Sequence, residues 1–300
     1  FLFKKTEDLV GRRFRLLTAP SSWCGTVPDV VEMPSVEWSQ SVSNATVRNV
    51  STRHGVTKPI MCVGYDQVAA LALLCAHYAA NGSVGGGNDS GGYVVIYGRE
   101  TDEIRHLATQ IGLKTRVSFD KRSGCPRTVL AGGLTLTQWF ETECGRGYAA
   151  KRLPRWVLSL PTVLLRQIWD VMVRTDGHRY ESGREVVHTG SDIMAGQLQE
   201  LLCKISCSSS LTTTDGANGP CNLVSKKRGL PASRPGDAIV KKPYAGMVYC
   251  VTTGNGIVYV RRNGKVHFSG NCYMSFAKPR PGGNAAYLQH IKEVQHGSVY

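Results

Sequence analysis

The chain has 300 residues, of which 42% are hydrophobic and 19% charged, and this composition is ordinary for a globular protein rather than a disordered one. Its formal net charge is +14, and residues 272–300 contribute only +2 of that surplus. A basic balance of this size favours a polyanionic partner, most simply nucleic acid. The length predicts about two domains.

The sequence contains neither a signal peptide nor a run of eighteen apolar residues, so we expect a cytoplasmic protein with no membrane partner. Its ten cysteines would then be reduced thiols. Cys203 and Cys207 form the one close pair, and no second pair or histidine cluster completes a zinc set. The chain begins without methionine and ends in the middle of a pattern at Tyr300, so we expect a fragment.

Residues 1–60 are rich in Val, Thr, Ser and Pro in short alternating runs, which predicts strands and loops. A helix is predicted for "YDQVAALALLCAHYAANGSV", with Asp66 as a possible cap and Asn81-Gly82 as its end. The strand-like "YVVIYG" and the helix-like "ETDEIRHLATQIG" follow.

The same order of elements then recurs further along the chain. "PTVLLRQIWDVMVRTDG" predicts an apolar helix that ends at Asp176-Gly177, and the strand-like "REVVHTG" and helix-like "SDIMAGQLQELLCKIS" follow it. Residues 94–98 match residues 186–190 in position and kind. We interpret this as an internal duplication with an offset of about 95 residues.

A Ser-, Gly-, Pro- and Lys-rich connector is predicted for residues 206–242, followed by a β-like block that starts at Tyr244. Residues 254–256 (Gly-Asn-Gly) and Asn263-Gly264 are typical of hairpin turns.

The two repeated helices are predicted to pack side by side, which would bring their C-terminal polar residues together beside two sheets. Two carboxylates at such a place can hold divalent metals that activate water for phosphodiester cleavage. Duplicated sheets and basic charge would together form a saddle for duplex DNA. Taken singly, Asn-Gly and Asp-Gly are also ordinary helix ends with a left-handed glycine.

The motifs "LALLCAHYAANGS" (71–83), "LLRQIWDVMVRTDG" (164–177) and "KRLP" (151–154) resemble those of the LAGLIDADG, or dodecapeptide, homing endonucleases. The resemblance spans residues 62–225. It implies two repeats, at about 62–135 and 136–225, and double-stranded DNA as partner.

The resemblance also implies an Mg²⁺-binding acid before the last glycine of each motif, and a lysine near the scissile phosphate. These roles fall on Asp176 and on Lys151. The first acid position holds Asn81, which brings no negative charge, so impaired cleavage is expected. Two alternatives stay open, namely a DNA-binding remnant that does not cleave and a working metal-dependent endonuclease in which Asn81 is compensated.

The junction Asn271-Cys272 places an amide that can cyclise beside a thiol that can accept an acyl group. Residues 244–272 resemble the C-terminal splicing blocks of inteins, which implies that Asn271 cyclises and that Cys272 starts the C-extein. Gly270 stands where the usual histidine precedes the asparagine, and Cys250 stands where many inteins have Asp. His267 is then the nearest candidate helper.

After the junction, "NAAYLQHIKEVQHGSV" resembles the early part of flavin-dependent thymidylate synthase. This resemblance implies that His296 and Ser298 lie at the FAD of the complete host enzyme. At the other end, "KKTEDLVGRRFRLL" resembles a segment well inside the first half of an intein, so we expect that the N-terminal nucleophile has been lost.

The predicted fold is α+β, with a two-repeat LAGLIDADG domain inserted in a split all-β splicing domain. Residues 1–60 and 241–271 would form the splicing parts around an endonuclease domain at 61–240. A short C-extein segment would occupy 272–300. The remaining intein and extein segments are the expected protein partners.

Overall fold

The computed structural model of the protein falls into two compact units. The larger comprises Arg15–Ser233 and Arg261–His267, and the smaller comprises Phe1–Phe14, Arg234–Val260 and Phe268–Tyr300. In the smaller unit, the rings of Tyr259 and Phe268 pack with their centroids 4.9 Å apart. The described residues are 14–16, 23–37, 56–85, 92–216, 219–227, 232–234, 245, 257–262 and 264–270.

All α-helices among the described residues lie in the larger unit. They are α1 (Gly64–Asn81), α2 (Thr101–Gln110), α3 (Gly133–Cys144), α4 (Thr162–Asp176) and α5 (Asp192–Lys204). The predicted helices correspond to α1, α2, α4 and α5, whereas α3 was not predicted. Two 3₁₀ helices, Tyr148–Ala150 and Arg155–Ser159, connect α3 to α4. Within the described part of the chain, none of the helices is long and apolar enough to cross a lipid bilayer.

The strands are short and their pairings within the larger unit are antiparallel. In chain order they are β1 (Phe14–Leu16), β2 (Val30–Glu37), β3 (Val56–Val63), β4 (Gly82–Gly85), β5 (Tyr93–Tyr97), β6 (Thr115–Phe119), β7 (Pro126–Leu130), β8 (Gly177–Arg179), β9 (Glu185–Thr189), β10 (Ser208–Gly216), β11 (Gly219–Lys227), β12 (Ala232–Arg234), β13 (Ile257–Arg262) and β14 (Lys265–Gly270).

The larger unit repeats one order of elements, as the sequence predicts. The first half runs α1-β4-β5-α2-β6-β7-α3, and the second runs α4-β8-β9-α5-β10-β11. The residue-by-residue match of 94–98 with 186–190 is wrong by one position. The glycine that follows each repeated helix pairs with a residue of the next long strand: Gly82 with Ile96, and Gly177 with Val187. Ile96 is therefore equivalent to Val187 and not to His188.

The predicted connector at 206–242 is also wrong for most of its length. Residues 208–216 and 219–227 form the paired strands β10 and β11, which join β9 through β11 and therefore belong to the second half. Its Ser, Thr and Gly content is typical of loops, but strand pairing and the packing of α5 on β10 and β11 decide the structure. Lys265 at the start of β14 also belongs to this unit, since it pairs with Ser210.

Helices α1 and α4 pack against each other in the core. The buried side of α1 includes Ala69, Ala72 and Ala76, and short side chains allow a neighbouring helix to approach closely. Both helices also contribute large buried residues, among them Trp169 of α4. An ion pair also joins the halves, since both terminal nitrogens of Arg174 donate to the Glu103 carboxylate at 2.8 and 2.9 Å.

The glycines that follow α1 and α4 are extended, with φ of −82° at Gly82 and −124° at Gly177. The interpretation of Asn-Gly and Asp-Gly as left-handed helix ends is therefore wrong. Space explains the glycines instead. A Cβ atom on Gly82 would lie 2.3 Å from the Tyr78 ring, and one on Gly177 would lie 2.5 Å from the carbonyl oxygen of Val186.

The start of α1 differs from the prediction that Asp66 caps it. The helix begins at Gly64, and the backbone N–H of Val63 donates to the side-chain oxygen of Gln67 at 2.9 Å. Asp66 lies in the first turn, where a negative charge is favourable without a capping bond.

Candidate functional site

A cavity of about 510 Å³ lies where the two halves of the larger unit meet. It brings together all three residues that the sequence singles out for DNA cleavage, namely Asn81, Lys151 and Asp176. Asn81 is the last residue of α1 and Asp176 the last of α4, so the packing of these helices fixes both positions. The rest of the lining is Ala79, Ala80, Gly82, Ser83, Gly147, Tyr148, His188, Thr189, Gly190 and Cys221.

Among the described residues, Asp176 is the one carboxylate in the lining of this cavity. Its burial raises the pKa of the carboxyl group to about 6, and the nearby Lys151 ammonium offsets part of that effect. The carboxylate is therefore ionised at neutral pH at a cost in folding free energy. A cation bound in the cavity would reduce that cost.

Lys151 is buried, with 5% of its surface exposed. Its ammonium donates to the carbonyl oxygens of Tyr78 and Gly82 at 2.6 Å each, and lies 3.6 Å from the centroid of the Tyr78 ring. Burial lowers the pKa of Lys151 to about 8, although Cys144 and Asp176 act in the opposite direction. The side chain is thus fastened to the C-terminal end of α1.

Backbone contacts hold the segment 151–153 between several helices. The N–H of Arg152 donates to the carbonyl oxygen of Cys144 at 2.9 Å, which fastens the segment to the end of α3. Gln197 of α5 exchanges hydrogen bonds with the backbone of Leu153 at 2.8 and 2.7 Å. Ser191 donates to the carbonyl oxygen of Lys151 at 2.7 Å and accepts from the Met194 N–H that starts α5. The position of Lys151 is therefore fixed from both ends.

The donor set decides how many divalent cations the cavity can hold. It offers one carboxylate from Asp176 and one uncharged amide oxygen from Asn81. Across the described part of the chain, no three His, Cys, Asp or Glu side chains gather closely enough to form a metal site. Mg²⁺ is commonly held by one or two carboxylates together with substrate phosphates, so this set fits one ion on a bound phosphodiester. It does not fit two.

The sheet of β4, β5, β7 and β6 has one face against the helices, where Val94, Ile96 and Leu130 are buried. Because paired residues share a face, the pairings of Arg116 with Val129 and of Tyr97 with Arg127 place both arginines on the opposite, outward face. No carboxylate lies on the described part of that face. Ser83, Tyr93 and Ser118 are its other polar residues.

The second half builds a sheet of the same kind from β8, β9, β11 and β10. Val187 and Val224 are paired and buried against the helices, so their neighbours in sequence lie on the outward face. As far as the structure describes it, this outward face also lacks carboxylates. It carries His178, Arg184, His188, Ser210, Thr212, Thr214, Cys221, Ser225 and Lys227.

The sequence did not single out several residues that line the cavity. Ser83 belongs to the outward face of the first sheet, and His188 and Cys221 belong to that of the second. Tyr148, which is 61% exposed, also lines it, and Gly190 leaves room for its ring. The available signal in the sequence was His188, which directly follows Val186 and Val187 in β9.

Of the residues predicted to take part in splicing and flavin binding, the structure describes His267. Asn271, Cys272, His296, Ser298 and Cys250 lie outside the described residues. His267 is a half-buried residue of β14.

No protein-family model and no curated protein matches the chain. Among solved structures it is similar to the homing endonuclease I-DmoI in complex with DNA and manganese, with 11% identity and a TM-score of 0.42 over 54% of this chain and 91% of that one. It is also similar to full-length DUF199/WhiA from Thermotoga maritima, with 8% identity and a TM-score of 0.37 over 54% and 51%. The N-terminal LAGLIDADG domain of DUF199/WhiA gives 8% identity and a TM-score of 0.35 over 53% and 76%.

Replacing Asp176 with asparagine is expected to stabilise the protein at neutral pH. The folded-state pKa of about 6 exceeds the unfolded value, so the stability linked to protonated Asp176 is complete below about pH 4 and is lost as the pH rises through about 6. At pH 7.5 the free energy of unfolding of the neutral Asp176→Asn variant should be roughly 2 kcal/mol higher than that of the parent protein. Chemical denaturation at several pH values measures the difference.

Asp170→Asn on the same helix is the matched control, since Asp170 is more than half exposed and pairs with Arg179 at the surface. That variant should change little across the same pH range. A destabilised Asp176→Asn protein at pH 7.5 would mean that the carboxylate is a net stabilising partner of Lys151, contrary to this account.

Proposed function

We propose that the larger unit binds double-stranded DNA across the outward faces of its two sheets, in the manner of LAGLIDADG homing endonucleases. One observation carries the proposal: the cavity that holds Asn81, Lys151 and Asp176 is also lined by outward-facing residues of both sheets, Ser83 from one and His188 from the other. A phosphodiester of a duplex lying on these faces would come within reach of Asp176.

The charge distribution supports a polyanion at this surface. Arginine, lysine and histidine side chains occupy the outward faces, and carboxylates are absent from the described part of both. The basic surplus of the chain would release counterions from DNA on binding and make the affinity depend on salt. Serine and threonine hydroxyls on the second sheet add neutral hydrogen-bonding groups for phosphates and base edges.

The chemistry proposed for the cavity is slow, metal-dependent hydrolysis of one DNA strand. Asp176 would hold a single Mg²⁺, which when bound supplies Lewis-acid stabilisation of the phosphate oxygens and a more acidic water. Asn81 contributes an oxygen but no charge, so it cannot act as a base or hold a second ion strongly. The Lys151 ammonium places a fixed positive charge beside the same space. A DNA-binding remnant without any cleavage is the alternative, and Asn81 favours it.

The DNA-binding surface predicts a selective effect of arginine removal. Replacing Arg116 and Arg127 together with alanine should weaken duplex binding roughly tenfold at low salt and reduce the slope of log K against log salt by about 2. Arg105 on the helical side of the same sheet is the control, and Arg105→Ala should leave binding unchanged. Gel-shift titrations over a salt series measure both quantities. Equal losses in the two variants would contradict binding on the outward face.

Cleavage provides a second test, with Mg²⁺ and a DNA library that includes an intein-free thymidylate synthase gene. The unmodified protein should produce nicks slowly, because only one half of the cavity carries an acid. Asp176→Ala should abolish the nicks, since it removes the one carboxylate of the cavity, while Asp170→Ala should retain them. Rapid double-strand cutting would refute the proposal that Asn81 impairs the site.

We propose that residues 244–271 form the C-terminal part of an intein and that splicing chemistry takes place at Asn271-Cys272. The resemblance of the sequence to intein splicing blocks supports this proposal, with His267 as the helper for asparagine cyclisation. Residues 272–300 would then begin a flavin-dependent thymidylate synthase in which His296 and Ser298 face FAD. A host enzyme of this kind and a DNA substrate are both consistent with a cytoplasmic location, which we propose for the protein.

The junction predicts a specific break in the chain. Cyclisation of Asn271 should release a fragment that begins at Cys272 and leave a partner that ends in succinimide, both visible by mass spectrometry. Gly270 removes the usual histidine donor, so the reaction should take hours or longer. Asn271→Ala should prevent the break, whereas Cys272→Ala should leave it largely intact because Cys272 departs only as an amine. Persistence of the break in Asn271→Ala would identify it as proteolysis.

A further inference from the structure

The surroundings of the Lys151 ammonium are those of a bound cation. Two carbonyl oxygens at 2.6 Å, from Tyr78 and Gly82, accept its hydrogen bonds, and the face of the Tyr78 ring lies 3.6 Å away. Both carbonyls belong to the last turn of α1 or to the residue that follows it. The carbonyl groups at the end of a helix carry its partial negative charge and attract positive charge.

The two halves of the cavity differ in how they place charge. On the α1 side the polar end residue is the neutral Asn81, and the positive charge comes from the Lys151 ammonium, which donates to two carbonyl oxygens on that side. On the α4 side the end residue is Asp176, and Lys151 is the one lysine or arginine that the described residues contribute to the cavity lining. A carboxylate at position 81 would stand beside an ammonium that already supplies the cation.

We propose that the Lys151 ammonium is a built-in cation that occupies the α1 half of the cavity in place of a divalent metal ion, and that the cavity takes a single divalent ion, at Asp176. This inference rests on the proposed function of the same site and specifies its metal requirement. Lys151 is therefore a positioning residue that holds the C-terminal end of α1, and its ammonium is not available to bind a phosphate.

The burial of Lys151 agrees with this role. With 5% of its surface exposed, the side chain cannot leave without breaking its two short hydrogen bonds to the backbone of Tyr78 and Gly82. The lowered pKa of Lys151, about 8, still keeps the amine mostly protonated at neutral pH. A second divalent ion would have to displace the Lys151 ammonium from the carbonyl oxygens of Tyr78 and Gly82.

The inference predicts how many metal ions each variant binds. Tb³⁺ is a suitable probe, since it prefers oxygen ligands as Ca²⁺ does and its emission is sensitised by tyrosines such as Tyr148 at the cavity. The unmodified protein should bind one Tb³⁺ at the cavity, and Asp176→Asn should weaken that binding at least tenfold. Asn81→Asp should still bind one ion there, because Lys151 remains. The double variant Asn81→Asp with Lys151→Met should bind two.

Lys204 offers a matched control for the removal of a lysine. Its ammonium also donates to a backbone carbonyl, that of Leu158, at 2.6 Å and lies 4.3 Å from the centroid of the Trp23 ring, but Lys204 does not line the cavity. Asn81→Asp combined with Lys204→Met should therefore bind one ion. Thermal melts of all variants establish that each is folded.

If Lys151→Met destabilises the protein too far, Asn81→Asp alone still tests the proposal. Two Tb³⁺ ions at the cavity of Asn81→Asp, or one in a folded double variant, would overturn the inference. Neither result depends on DNA. A failure of DNA binding or of nicking would instead refute the proposed function and leave the ion count unchanged.

Discussion

The close packing of α1 against α4 is the constraint on which the rest of the larger unit depends. Each helix is followed at once by a strand, so the place where the helices end decides where both sheets begin. Gly82 and Gly177 make this possible, because a side chain at either position would collide with its own helix or the neighbouring strand. The cavity between the helix ends is a direct consequence.

Burial then sets the chemistry of that cavity. Asp176 and Lys151 carry opposite charges in one partly enclosed space. Burial raises the pKa of Asp176 and lowers the pKa of Lys151, and so favours the neutral form of each group. Such opposed shifts are costly for stability and are typical of functional sites. The Lys151 ammonium has two backbone carbonyl oxygens as partners, whereas the Asp176 carboxylate makes no comparable set of contacts with the described residues. Asp176 is therefore the group in this cavity that is best prepared for an external cation.

Much of the larger unit could be predicted from periodicity and helix-end signals. The apolar repeats of α1 and α4, the amphipathic α2 and α5, and the valine-rich β5 and β9 follow from the sequence alone. The hairpin β10–β11 could not be predicted in this way, since its Ser, Thr and Gly residues become strands only through pairing with β9. The hydrogen bonds of Lys151 could not be predicted from the sequence either, because its two carbonyl partners lie 73 and 69 residues earlier in the chain. A motif could name Asp176 and Lys151, but only the tertiary structure shows that Lys151 is engaged by α1.

Photocrosslinking to a radiolabelled duplex tests the central claim most directly, namely that DNA lies on the outward sheet faces over the cavity. Benzoylphenylalanine in place of Ser83, an exposed residue of the cavity lining, should crosslink to the duplex at low salt. The same photoprobe in place of Asp102, on the helical side of the sheet, should not. Crosslinking from Asp102 together with none from Ser83 would contradict the account.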